Sequence, residues 1–158
     1  MSSRLLVALR VPGPPDRAFR VFTEEVGTWW RPNTLFEFTP RGPGVVAFEP
    51  PEHERAGRFV ERLPGGKVFV IGEVTAWEPG HRLVFGWRQA SFAPDQQTRV
   101  EVTFEPVGDQ TRVTVQHQGW DTVPQAHVAR HGFPPMVFSQ RHGEWWRDLL
   151  ASLGERLT

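Results

Sequence analysis

Apolar side chains recur at two different periods in the second half of this chain, and that pair of periods constrains the fold more than any other feature. Val100, Val102 and Phe104 alternate with Arg99, Glu101, Thr103 and Glu105, the pattern of a sheet buried on one face and wet on the other. Gly108-Asp109 supplies a turn, and on the returning strand Val113, Val115 and His117 share a face opposite Arg112, Thr114 and Gln116. The tail switches to helical spacing. At about 100° per residue, Trp146, Leu150, Leu153 and Leu157 fall in one stripe, with Leu149 and His142 beside it and Trp145 and Phe138 further round. The buried face is expected to run Ser139, His142, Trp146, Leu149, Leu150, Leu153, Leu157, purely apolar in its last turns but offering a hydroxyl and an imidazole in its first. Gly143, which costs about 1 kcal/mol of helix stability relative to Ala, sits at the border of that face. These faces need each other, so the expectation is a curved antiparallel sheet with a long final helix across its concave side, an arrangement that commonly encloses a small apolar ligand.

The rest of the chain fits this plan. Leu5, Val7, Leu9 and Val11 alternate as a strand ended by Pro12-Gly13-Pro14-Pro15. Asp16 enters a short helix carrying Ala18, Phe19, Phe22 and Val26 at helical spacing, interrupted near its end by Gly27 and followed by Trp29-Trp30. A strand is expected around residues 35–38, another from Val45 to Phe48, and a loop over 50–57. Residues 58–63 and 68–77 read as hairpin partners across Pro64-Gly65-Gly66, and residues 82–88 return after Glu78-Pro79-Gly80. Residues 91–97 read as a loop, and residues 119–135 as a longer excursion into the final helix.

At 158 residues the chain has the size of one domain with one core, expected to span residues 1–158. Lys plus Arg and Asp plus Glu both total 18, so no overall field favours nucleic acid or an acidic surface. Cysteine is absent, which removes disulfides, thiolate metal sites and thiol catalysis, and fits a reducing compartment. No apolar run approaches the roughly 20 residues of a membrane span, and residues 5–9 are too interrupted for a secretory signal; a cytoplasmic location is the expectation. Lys67 is the only lysine and follows Gly65-Gly66 in a turn, where its amine stays protonated and unreactive. With no tyrosine but many Trp and Phe, a cavity here would be lined by large rings with few hydroxyls to orient a ligand.

The order of elements and a set of short motifs resemble the START-like, or SRPBCC, superfamily with its helix-grip fold. Within it the chain looks most like the activator of heat-shock-protein-90 ATPase homologue-like family of bacterial proteins. The matching residues are Pro14-Pro15 with Ala18-Phe19 and Phe22-Thr23, Trp29-Trp30, Gly72-x-Val74, Glu78-Pro79 with Leu83-x-Phe85-x-Trp87, Thr111-Arg112-Val113-Thr114-Val115, and residues 143–153. The resemblance implies an α+β fold: an antiparallel sheet of about six or seven strands around a long C-terminal helix, with two short helices after the first strand. The superfamily includes lipid carriers, plant hormone receptors and polyketide cyclases, so the fold alone assigns no activity. The family is named for a eukaryotic co-chaperone that has a separate N-terminal domain. None is seen in this sequence, so a chaperone partner ranks below a small hydrophobic ligand.

Candidate chemistry centres on histidine. His127 and His131 stand four residues apart, a spacing that can present two imidazoles to a metal, but the intervening residues lack the glutamate of a zinc-hydrolase helix and flanking Pro124, Gly132 and Pro134 oppose a long helix. No metal and no cofactor are expected. His117 and His142 are placed to point into one cavity, to anchor a ligand's polar end or to act as acid or base; the alternative is a core histidine bonded to backbone. Ser139 precedes His142 by three residues, yet no oxyanion donor accompanies them. Glu24-Glu25 and Glu52-x-Glu54 read as solvated charges, and the face of Glu73 is not assigned. The ligand-lining residues expected are Trp30, Phe48, Trp87, His117, Trp120, Phe138, His142 and Trp146. Three functions follow: a binder of an aromatic or lipid-like molecule, a cyclase or dehydratase moving a proton with His117 or His142, or a protein-interaction module of the co-chaperone type. Oligomeric state is left open, a homodimer included.

Overall fold

Alternation in the sequence becomes alternation in space along the strands at the centre of the sheet. In the computed structural model, β6 (Thr98–Val107) and β7 (Gln110–Gln118) bury Val100, Val102, Phe104, Val113, Val115 and His117 on one face and leave the residues between them partly or fully exposed. The structure describes residues 5–31, 38, 39, 44–120, 123, 127, 129 and 135–158. The other strands are β1 (Leu5–Pro12), β2 (Val45–Glu49), β3 (Gly57–Arg62), β4 (Val68–Glu78) and β5 (Arg82–Trp87). They form one antiparallel sheet of seven strands in the order β1-β7-β6-β5-β4-β3-β2. β2 to β7 run as a meander, and β1 closes on β7 through pairs such as Leu5 with His117 and Val11 with Thr111.

The helices are α1 (Pro15–Glu24), α2 (Val26–Trp29) and α3 (Pro135–Arg156). Pro15 opens α1 where its missing N–H would lack an intrahelical partner anyway. Thr23 returns its hydroxyl to the Phe19 carbonyl at 2.9 Å, and α2 follows at once. Trp29 locks this pair in place: its indole Nε1 donates to the Val21 carbonyl at 3.1 Å, and its own carbonyl accepts from the Ser152 hydroxyl of α3 at 2.6 Å. The sheet curls around α3, and β4 shows why it bends. Its register shifts twice, between the pairs Phe59/Gly72 and Val60/Val70 on one side, and between Val74/Phe85 and Ala76/Val84 on the other. Such one-residue bulges bend a strand and sharpen its twist. Gly72 sits at the first shift, where a Cβ would run into the Gly86 carbonyl.

Two sequence readings change. Ser139 is exposed, not part of the buried face of α3, while Phe138 and Trp145, expected further round, are buried. The cause is a wider set of neighbours: Phe138 and His142 pack on Trp120, beyond the end of β7, and Trp145 packs on Trp30 and Trp87, so the buried face there extends toward these three. The strand expected around residues 35–38 and most of the excursion over 119–135 lie outside the described residues. Phe38 itself is described; it is buried in a bend, and its carbonyl accepts from the Ala90 N–H at 2.6 Å. No described helix is long and apolar enough to cross a membrane.

Candidate functional site

Along α3 the partner of the sheet changes from rings to leucines. Leu149, Leu150, Leu153 and Leu157 are buried at the C-terminal end. Toward the N-terminus the same helix presents Trp146, Trp145, His142 and Phe138, all buried, to a concave wall made by Trp87 of β5, Thr98 of β6 and His117 of β7. Each of these strand residues faces inward because it keeps the alternating register of Phe85, Val100 and Val115 before it or after it.

The rings touch in a continuous set. Trp87 lies 5.0 Å from His117, 5.5 Å from Trp145 and 5.9 Å from Trp146, centroid to centroid. Trp30, just after α2, is 6.0 Å from Trp87 and 5.6 Å from Trp145, mutually tilted or edge-on, as aromatic quadrupoles prefer. Trp120 contacts His117, His142 and Phe138 at 5.3, 5.5 and 5.2 Å. Phe48 stands one ring away: it stacks on Phe59 at 4.4 Å, and Phe59 in turn meets Trp30 at 5.5 Å. Of these rings Trp30 alone is only half-buried, so it is where the cluster reaches the surface.

Within this apolar wall runs a line of hydrogen bonds whose directions can be worked out. The Trp146 indole Nε1 lies 3.3 Å from His117 Nδ1 and can only donate, so that nitrogen carries no proton. A neutral His117 therefore holds its proton on Nε2, which donates to Thr98 Oγ1 at 2.9 Å, while the Thr98 hydroxyl donates to the Trp87 carbonyl at 2.8 Å. His142 Nε2, 2.9 Å from the same Nδ1, is also a donor. Burial pushes both imidazoles below their ordinary range. His142 falls to about 3, and His117 lies well below 6.5, with the neighbouring His142 as a second cause. Both rings are neutral at pH 7. They orient one another and Trp146, and neither stands ready as a general acid near neutral pH.

The fold brings Trp30, Trp87, His117, Trp120, Phe138, His142 and Trp146 into this one cluster and links Phe48 through Phe59. Sequence reading missed Thr98, Trp145 and Phe59. Thr98 had a signal: it continues the inward alternation of Val100 and Val102, and the Gly108-Asp109 turn sets β6 beside β7. Trp145 had one: it is only about 60° round the helix from His142 at 100° per residue. His127 takes local partners, with Nε2 2.9 Å from the Ser91 carbonyl oxygen and Nδ1 accepting from the Ala129 N–H at 3.0 Å; His131 lies outside the described residues. Among the described residues no group of His, Asp and Glu is arranged to hold a metal ion. Glu73 is exposed and pairs across the sheet with Arg58 on the outer face, away from the cluster.

Solved structures of the same fold cover the chain almost end to end. An anthrahydroquino-gamma-pyrone synthase, Txn09, complexed with SUM, is 26% identical over 96% of this chain and 95% of its own, with a TM-score of 0.55. Protein MLL2253 from Mesorhizobium loti is 21% identical over 96% and 94% of the two chains, TM-score 0.57. The Aha1 dimer from Colwellia psychrerythraea, solved in solution, is 16% identical over 98% and 95%, TM-score 0.55. No protein of curated function matches. The family model described as Activator of Hsp90 ATPase homolog 1-like protein matches residues 12–155, and with the helix-grip fold above the chain belongs to that family.

Proposed function

We propose that this protein binds a flat, apolar small molecule, aromatic in at least part of its structure, between the first half of α3 and the concave face of β5 to β7. The observation that carries this reading is the hydrogen-bonded line through His142, His117, Thr98 and Trp87 inside a wall of indoles. A core evolved for stability alone gains little from two buried neutral imidazoles, whose desolvation works against folding at acid pH; fixed polar directions in an apolar wall are how ligand sites set orientation. His117 has both nitrogens engaged and acts as a positioning residue for His142 and Trp146. Trp30, half-exposed and in contact with Trp87 and Trp145, is the ring that a ligand displaces on entry.

The test is native mass spectrometry of freshly purified protein, then tryptophan-fluorescence titration with aromatic polyketides, flavonoids, sterols and fatty acids. Saturable quenching by the planar members, weakened at least about tenfold (1.4 kcal/mol) in Trp87→Leu, is the expected result. A clean apo mass with a flat response across the panel would overturn the reading and favour a protein-interaction module instead. A second reading, a cyclase or dehydratase, draws support from the likeness to the Txn09 synthase. It predicts that His117→Gln or His142→Gln abolishes turnover of a bound polyketide while leaving its affinity in place. The Colwellia relative is described as a dimer, and light scattering decides whether this chain shares that state.

A further inference from the structure

The outer face of the sheet carries a groove whose lining has Trp87 in common with the concave site and is otherwise made of residues that site does not use. The groove, of about 520 Å³, runs over β4 and β5, lined by Gly86, Glu73, Thr75, Arg88, Gln97 and Arg99, with the half-buried Val70 on its apolar side. The β4 bulges shape it, since Ile71 and Thr75 are the residues left over at the two register shifts. Its floor is Gly86. This glycine is in the middle of β5, is not in the left-handed region, and pairs with Arg99 of β6. A Cβ added there would meet its nearest neighbours, Gly72 Cα and Glu73 N, at 3.6 and 3.8 Å, which is ordinary contact. Neither backbone conformation nor packing requires glycine at 86, and glycine weakens a strand interior. What the missing side chain does is keep the floor of the groove open.

Charge says what fits. Arg88 and Arg99 are exposed at the groove, each a planar fork of N–H donors suited to a carboxylate. Their present partners are weak: Arg88 Nη2 reaches the Phe92 carbonyl at 3.3 Å, and Arg99 Nη2 stands 3.9 Å from Glu101. Glu73 is the one carboxylate among the described residues that line the groove, against the two guanidinium groups of Arg88 and Arg99. We propose that this groove is a second binding site, taking a small organic carboxylate whose anionic head sits on Arg88 and Arg99 and whose apolar body lies over Gly86 toward Val70.

The experiment is a titration of the full chain with 3-phenylpropionate, followed by two-dimensional amide NMR, with 3-phenylpropanamide and inorganic phosphate as separate arms. Expected are saturable shifts at the amides of Glu73, Gly86 and Arg99 with phenylpropionate below about 10 mM, at least about fivefold weaker binding in R99Q, and none in G86V, which fills the floor. The propanamide should bind far more weakly, showing that the head is needed. Phosphate binding as tightly as phenylpropionate would overturn the apolar half of the proposal. Unchanged affinity in the R88Q/R99Q double variant, shifts confined to residues around His117, or no saturation at all would overturn it entirely. Should G86V fail to fold, the charge variants decide, since both arginines are exposed. Concave-site quenching in R99Q stays as in the unaltered chain, which separates the two sites.

Discussion

The two ends of α3 are buried against the same sheet in opposite ways. The C-terminal end uses Leu149, Leu150, Leu153 and Leu157, which repack easily and carry no direction. The N-terminal end uses Phe138, His142, Trp145 and Trp146, large planes of which His142 and Trp146 are tied by bonds of fixed sense to His117, and through it to Thr98. Leucine buries area at small entropic cost, whereas an indole or imidazole in the core must also satisfy an N–H. The difference teaches where stability and specificity reside in this fold: one end of the helix holds the molecule together, and the other defines a shape.

That contrast can be broken by substitution at either end. Leu153, fully buried, is the place for the largest effect: Leu153→Ala should cost about 3 kcal/mol in urea unfolding and leave ligand quenching intact. If quenching is lost as well, the two ends are not separable. Acid comes next, and its sign follows from burial. Both histidines have folded pKa values below the unfolded value near 6.5, so the unfolded chain takes up protons first. Their stabilisation is complete above about pH 6.5 and is lost as pH falls toward the folded values. With His142 at about 3, roughly 2 kcal/mol should be gone by pH 5 from that group alone. His117 adds in the same direction. His142→Phe should flatten this pH dependence, and Leu153→Ala should not.

A finer cut is Thr98→Val, which deprives the His117 Nε2–H of its acceptor without changing side-chain size much; about 1 to 2 kcal/mol of stability should disappear, with a change in near-UV circular dichroism as Trp87 and Trp146 lose their fixed setting. The smallest effect is a gain. A Cβ on Gly143 would meet Leu5 and Arg147 at 3.8 and 3.9 Å, ordinary distances, so Gly143→Ala should raise the unfolding midpoint by up to about 1 kcal/mol. A loss there would mean that the first turns of α3 need looseness rather than helix propensity.

Much of this was legible in the amino-acid sequence, for reasons that differ by region. Period-two alternation along 99–117 and the leucine stripe of the tail are local properties, and they read through to β6, β7 and the last turns of α3 without correction. The expectations for Ser139 and Trp145 fail because a helical wheel assumes one neighbour along the whole helix, whereas the first half of α3 meets Trp120 on one side and Trp30 with Trp87 on the other. The cluster rings follow from composition and face, and the hairpin across Gly108-Asp109 sets β6 beside His117; that Trp146 and His142 share His117 Nδ1 depends on how α3 docks over β7, which no local pattern encodes. The Glu73 side was undecidable for a similar reason: the β4 bulges reset the alternation on either side of it.

Those bulges also govern how β4 can change over evolutionary time. Its exposed side chains, Val68, Glu73, Thr75 and Glu78, can be exchanged with little consequence for the core. Its length is another matter: deleting the extra residue Thr75 would leave Ala76 and Trp77 opposite Val84 and Leu83 but abolish the bulge, and with it the bend that sets Trp77 against Phe19 and Phe48. Relatives that keep the curl of this sheet should therefore vary at the exposed positions of β4 while gaps avoid it, and length changes should gather in the turns on either side.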